Sequence, residues 1–265
     1  MDRERLKKYV CTKVDSVRDD IVTIGESIMD TPELGYKEFR TADTVKQTLE
    51  HMGLTYEDGL GITGVKAVLR GARPGPTIAL MGELDALLLP HHPRADQKTG
   101  AAHACGHNAQ IAGLLGAAMA LTDKDVTSEL TGNVVFFAVP AEEYVEIDYR
   151  IGLVDNGKTS FLTGKQELVK LGHFDDIDMA IMIHSTSPEV ADGSMGLAPS
   201  SNGFLAKNIC FTGKASHAGS SPDKGINALN AAQLALSARA GPMKKWKPTL
   251  PEVEGDSVSK SGVSM

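Results

Sequence analysis

Three short runs, IALMGEL at 78–84, VVFFAV at 134–139 and MAIMI at 179–183, are apolar almost throughout, and they constrain the fold of this chain more than any other feature. A strand with one wet face alternates apolar and polar residues, whereas a run without alternation must be covered on both faces. Helices can supply the cover. Residues 2–29 carry apolar positions at helical spacing (Leu6, Val10, Val14, Val17, Ile21, Ile24), as do residues 41–52 (Val45, Leu49, Met52), with Gly53 as a C-cap. A helix from about Asn108 places Ile111, Leu114, Leu115, Ala118 and Leu121 on one face, another covers 166–171, and Val65–Leu69 adds a further strand. Strands alternating with helices predict an α/β class, with a helix-covered, mainly parallel sheet.

Near residue 198 the texture shifts to small polar residues (APSSNG). There follow a strand expected at Ala206–Thr212, the loop GKASHAGSSPDKG and a small-residue helix at Ile226–Ala240. The chain is therefore expected to divide into a domain over 1–197, the beginning of a small α+β module over 198–240, and a Pro/Gly/Ser-rich tail over 241–265 without periodicity, read as disordered. The 34 acidic and 27 basic residues give a net charge of −7, with no basic run to follow a phosphate backbone, which argues against nucleic acid. No signal-like core opens the sequence and no run approaches the ~18 apolar residues of a membrane span, so a soluble, cytoplasmic protein without a membrane partner is expected. Cys11, Cys105 and Cys210 are too few and scattered for a disulfide framework.

Chemically loaded residues gather around the ends of the apolar runs. Asp85 follows IALMGEL, Glu142 and Glu143 follow VVFFAVP, His184 follows MAIMI, and Cys105 and His107 flank Gly106 ahead of a helix. In open α/β sheets the loops at the carboxyl ends of strands converge on ligands, so these four clusters are candidates for one site. Each has a plainer reading. Adjacent carboxylates repel unless a cation or proton offsets them, but they also occur as solvated loop starts. Cys105 and His107, two residues apart, reach one ion only across a sharp turn, which Gly106 permits; a lone cysteine is otherwise a small buried hydrophobe. His184 suits a satisfied core histidine as well as a ligand, and Asp85 a loop carboxylate or helix cap as well as a partner for a metal-bound histidine. His217, in a Gly/Ser loop, has little apolar surface nearby to bury it.

The pieces PELGYKEFRTA, GELDAL, HACGHN with its small-residue helix, VPAEE, the strand ending in His184, and GKASHAGSSPDKGINALNAA, in this order from about 31 to 238, resemble the metal-dependent amidohydrolases of the aminoacylase/carboxypeptidase family. The resemblance implies that 1–197 is a catalytic metal-binding domain and 198–240 part of a lid and dimerisation domain. It also implies two divalent metal ions, with Cys105, His107, Glu143 and His184 as ligands and Cys105 between the metals. Glu142 matches the general base, Asp85 a residue orienting the site, and His217 a lid histidine that helps stabilise the oxyanion. The implied reaction is hydrolysis of an amide bond in an N-acyl amino acid or dipeptide-like small molecule, with a homodimer formed through the lid. A thiolate, two imidazoles and a carboxylate suit Zn²⁺ or Mn²⁺, the thiolate favouring zinc.

Asn108 stands where many members have Asp, as in the dipeptidase-like and aminobenzoyl-glutamate-hydrolase-like subgroup. Members also continue beyond the point where the motifs stop, near Ala238, and carry one last histidine ligand. None of the eight histidines here takes that place, so one metal position is expected to be incomplete, with weak metal binding and low activity, unless water, His91 or His92 substitutes. Two rival readings follow: a cysteine hydrolase using Cys105 with His107 or His184 as base, and a non-catalytic relative that binds metal or ligand without turnover.

Overall fold

The computed structural model describes residues 1–185, 196 and 209–238, and the chain divides into two units, Met1–Leu197 and Ala198–Met265. The first unit runs α1 (Arg3–Ser16), α2 (Arg18–Asp30), α3 (Phe39–His51), β1 (Tyr56–Leu60), β2 (Gly64–Arg70), β3 (Arg73–Glu83), β4 (Leu87–Leu88), β5 (Ala101–Ala102), α4 (His107–Leu121), α5 (Lys124–Thr127), β6 (Thr131–Val139), α6 (Ile147–Asp155), α7 (Gly164–Lys170) and β7 (Met179–Met182). Five strands form one sheet in the order β1-β2-β6-β3-β7. The pairs β6–β3 and β3–β7 are parallel, while β1–β2 and β2–β6 are antiparallel. The expected α/β class and helix-covered sheet hold, and the parallel ladder is the half that carries the loaded loops.

α4 is the organising helix. Its sequence, HNAQIAGLLGAAMAL, is small or apolar on nearly every side, and a helix of that kind belongs in the interior rather than on a surface. Its Ile111, Leu114, Leu115 and Ala118 pack in one core with Ile28 of α2, Val45 and Leu49 of α3, and Val65, Ala67 and Phe136 of the sheet. Small residues let α2 approach closely: a Cβ on Gly116 would lie 2.5 Å from Ile21 Cδ1, and one on Gly25 would lie 3.2 Å from Ala112 Cβ. A second core on the other sheet face joins Ala79, Val135, Phe137 and Val139 to Leu168 of α7.

Several expectations are corrected. The single helix over 2–29 is two, broken at Val17, which leaves helical geometry at φ −110°, ψ 18°; Asp2 caps the first by accepting from Arg5 N at 2.9 Å. β1 and α6 were not foreseen. Among the described residues β7 is the edge strand, and its Met179, Ile181 and Met182 are exposed rather than covered on both faces. In the second unit, Lys214 and Ile226 pair across one antiparallel bridge. Asn227 Oδ1 accepts from Leu229 N at 3.0 Å at the start of α8 (Ala228–Ala238), so the helix begins after Ile226. Of the strand expected at 206–212, residues 209–212 are not a strand; 206–208, APSSNG and the expected disordered tail 241–265 lie outside the described residues. Among the described residues no helix is long and apolar enough to cross a membrane.

Glu38 links α3 to the site loops while fully buried. Its carboxylate accepts from Thr63 Oγ1 at 2.6 Å and Ala141 N at 2.7 Å. Burial, and then the nearby Asp85 charge, push its carboxyl from an ordinary 4.5 up to about 7. The folded state thus holds this proton more tightly than the unfolded chain does. The resulting stabilisation is full below the unfolded value and is lost as pH rises through about 7. In urea denaturation, wild type should lose stability relative to Glu38→Gln, which mimics the protonated group, as pH rises from about 4.5 to about 7. Leu115→Ala, at a fully buried position, should cost about 2–5 kcal/mol by the same measurement.

Candidate metal centre

The parallel strands β6, β3 and β7 end side by side, and the residues just beyond them converge. The first is Asp85, which is completely buried and acts as the knot. Its Oδ1 accepts from Glu142 N at 3.0 Å and its Oδ2 from Glu143 N at 2.9 Å, while its own carbonyl oxygen faces His107 Nδ1 at 2.8 Å. One residue therefore fixes the loop after β6 and the ring at the start of α4. Arg150 of α6, buried beneath the loop, has Nη2 3.9 Å from Asp85 Oδ2 and donates from Nη1 to Leu162 O at 2.9 Å. It sits over the Tyr36 ring, where a side chain on Gly35 would collide with it.

The turn that presents the two glutamates is held against its own preference. Ala141 has φ +49°, a conformation uncommon for residues with a side chain. Its N–H is held by Glu38 Oε1 and its carbonyl accepts from Gly164 N at 3.1 Å, so the surroundings impose the geometry. Gly106 has φ +90°, as the spacing of Cys105 and His107 requires, and α4 begins immediately after it. Ser185 Oγ donates to Cys105 O at 2.7 Å, and Gln110 of α4 accepts from Glu83 N at 2.5 Å and donates to Ile183 O at 2.6 Å. These bonds tie β3, α4 and the end of β7 together.

Donor atoms of Cys105, His107 and His184 lie within 4.8 Å of one another, as do those of Glu83, His107 and Glu142. Cys105 Sγ is 3.4 Å from His184 Nε2, and His184 Nδ1 is 2.6 Å from Ser185 O. His107 Nδ1 faces a carbonyl, so it carries a proton and Nε2 is the atom left for a ligand. Nε2 is 2.9 Å from Glu83 Oε2 and 4.0 Å from Glu143 Oε1, yet none of these three buried atoms makes a hydrogen bond. Buried polar atoms without partners call for an ion or water. The charges point the same way. Burial opposes a proton on His107, but Asp85, Cys105 and Glu83 outweigh it and drive the ring well above its ordinary range. Burial and then Glu83 raise Glu142, and burial raises Glu143 despite Cys105 and His107. Glu83 is also raised by burial, but His107 and Lys165 outweigh that and hold it at about 2. The pocket thus favours positive charge at His107 Nε2, and the sulfur, nitrogen and oxygen donors fit a borderline divalent cation.

All the site residues expected in the first unit meet here: Asp85, Cys105, His107, Glu142, Glu143 and His184. His217 belongs to the second unit, where its Nδ1 accepts from Gly219 N and Ser220 N, each at 3.1 Å. His91 and His92 contribute to no close group of donors among the described residues. Glu83, Lys165 and Arg150 were missed. Glu83 stands two residues before Asp85 at the end of an apolar strand, a signal that was available. Lys165 and Arg150 come from helices after the site loop and show no local sign.

Residues 79–258 match the family model of peptidase family M20/M25/M40, a span that extends past Ala238, where the sequence motifs end. Thermostable carboxypeptidase 1 of Saccharolobus solfataricus is 34% identical over 179 residues, 66% of this chain and 41% of that protein. N-acetyl-L-cysteine deacetylase of Bacillus subtilis is 29% identical over 91% of this chain and 56% of its own length. The chain thus spans about half the length of the curated relatives it matches. The crystal structure of the Bacillus subtilis YXEP protein, described as a dinuclear metal-binding peptidase of the M20 family, matches 65% of this chain and 44% of its own, with 26% identity and a TM-score of 0.53.

Asp85→Asn keeps the size but leaves one acceptor for two backbone N–H groups. It should cost about 1–3 kcal/mol in thermal or urea denaturation and weaken Zn²⁺ binding about 10–100-fold by calorimetry.

Proposed function

The chain belongs to peptidase family M20/M25/M40, and on that premise we propose that its first unit is the catalytic domain of a metal-dependent amidohydrolase acting on N-acyl amino acids or dipeptide-like amides. The observation that carries this reading is the cluster of buried donor atoms on His107, Glu143 and Glu83 that face one another without a hydrogen bond, beside Cys105 and His184. The names of the relatives, a carboxypeptidase and an N-acetyl-amino-acid deacetylase, support the substrate class.

Cys105, His107, Glu143 and His184 are the proposed ligands of two divalent ions, with zinc preferred because of the thiolate. Such ions, when bound, polarise an amide carbonyl and lower the pKa of water. Glu142 is the proposed general base. Its backbone N–H is pinned by Asp85 while its side chain remains partly open, and its raised carboxyl pKa brings it nearer to neutrality, where a base can take a proton from water and return it to the leaving nitrogen. Asp85 holds His107 in the tautomer that leaves Nε2 for the ligand. Lys165, with Nζ 3.8 Å from Glu142 Oε1, limits where that carboxylate can swing.

His217 is assigned to oxyanion stabilisation. Because Nδ1 accepts two N–H groups, its proton sits on Nε2, which suits a donor to an oxyanion. The unit that carries it is read as a lid with the potential to dimerise. The three free cysteines fit a reducing compartment such as the cytoplasm.

The test is a Zn²⁺- or Mn²⁺-supplemented assay against N-acyl amino acids, dipeptides and aryl-glutamate amides, with and without chelator. Glu142→Gln should bind metal as wild type does but lose about 10²–10⁴-fold in kcat. Full activity in that variant would remove Glu142 as the base. Activity that survives chelation would favour Cys105 as a nucleophile, and metal binding without turnover of any amide would favour a non-catalytic binding protein.

A further inference from the structure

We infer that Glu83 is a direct metal ligand, adding a carboxylate to Cys105, His107, Glu143 and His184; the inference rests on the metal reading above and extends its ligand set. Glu83 is the last residue of β3, and its side chain is 1% exposed. A carboxylate so deeply buried is costly unless both oxygens are engaged. Lys165 Nζ, from α7, pairs with Oε1. Oε2 lies in ion-pair range of His107 Nε2, at 2.9 Å, but neither atom makes a hydrogen bond, so the two are joined by charge alone or by an ion held between them.

That spacing is close to that of two donors on one ion. Nitrogen and oxygen ligands lie about 2.1 Å from zinc, so two of them on a tetrahedral ion stand about 3.4 Å apart, about 0.5 Å more than the 2.9 Å between Oε2 and Nε2. Glu142 brings a second carboxylate oxygen into the same group of donors. Glu143 Oε1, the third atom without a hydrogen bond, is 4.0 Å from the same nitrogen. Lys165 has the place of an outer partner, fixing the far oxygen of a ligating carboxylate and leaving the near one free. The backbone around Glu83 is equally fixed, since its N–H donates to Gln110 of α4. The strand end, the helix and the lysine thus aim Oε2 at one point.

The full chain, stripped of metal by chelator and dialysed, is titrated with Zn²⁺ by calorimetry and with Co²⁺ by visible absorption, as wild type, Glu83→Gln and Glu83→Asp. Glu83→Gln should weaken Zn²⁺ at least 10-fold. It should also alter the intensity or position of the Co²⁺ d–d bands while the sulfur-to-cobalt charge-transfer band from Cys105 persists. Glu83→Asp keeps the charge that Lys165 pairs with and withdraws the oxygens by one methylene. It is the variant to rely on if Glu83→Gln does not fold, and it too should both weaken Zn²⁺ and shift the Co²⁺ bands. A role confined to the ion pair with Lys165 would leave those bands unchanged. Folded variants whose Zn²⁺ affinity and Co²⁺ spectrum match wild type would overturn the assignment of Glu83 and leave the other ligands standing. A wild-type chain that takes up neither ion would overturn both this inference and the metal reading beneath it.

Discussion

The bidentate hold of Asp85 on the N–H groups of Glu142 and Glu143 is the interaction on which the site depends. Parallel strands deliver their ends to one edge of a sheet, but they do not decide which way the following side chains turn. Here that decision is made by one buried carboxylate that spans two successive amides at 3.0 and 2.9 Å while its own carbonyl faces the His107 ring at 2.8 Å. The accepting carboxylate is fully buried, so these charge-assisted bonds meet little competition from water. Glu38 and Arg150 complete the arrangement from below, one holding Ala141 N and the other lying beside Asp85.

This support carries an electrostatic cost. Glu83, Asp85, Glu142 and Glu143 crowd together with Glu38 buried nearby, and among the described residues Lys165 and Arg150 are the basic side chains paired with them, joined by His107. The consequences appear as carboxyls displaced upward by burial and by one another, and as an imidazole drawn toward its charged form. Sites that concentrate displaced groups of this kind are where chemistry is usually found. A divalent cation beside His107 Nε2 would relieve the surplus of negative charge that the ring otherwise answers with a proton.

Much of this was legible from residues alone. IALMGEL, VVFFAV and MAIMI have no alternation because β3 and β6 lie between cores, and the reading failed only for β7, whose apolar residues sit on the edge of the sheet. Cys105 and His107 alone left a small buried cysteine as the plainer reading, and it was their place in the ordered run of motifs that pointed to a site. Glu142 and Glu143 stood out because paired charges after a buried strand need an explanation. Arg150 and Lys165 stayed invisible, since a basic residue in a helix is ordinary until the fold buries it against an acid. The break at Val17 was hidden because apolar spacing runs unbroken through it; periodicity reports which face is buried and not whether the backbone is continuous.

Gly106 shows how little slack the assembly has. A Cβ there would meet Ser185 Oγ at 2.5 Å, and the backbone already lies at φ +90°. A side chain there would push Ser185 Oγ off the carbonyl of Cys105, to which it donates at 2.7 Å. That bond ties the residue carrying the thiol to the neighbour of the residue carrying the imidazole, so a change at 106 would reach both donors while altering neither.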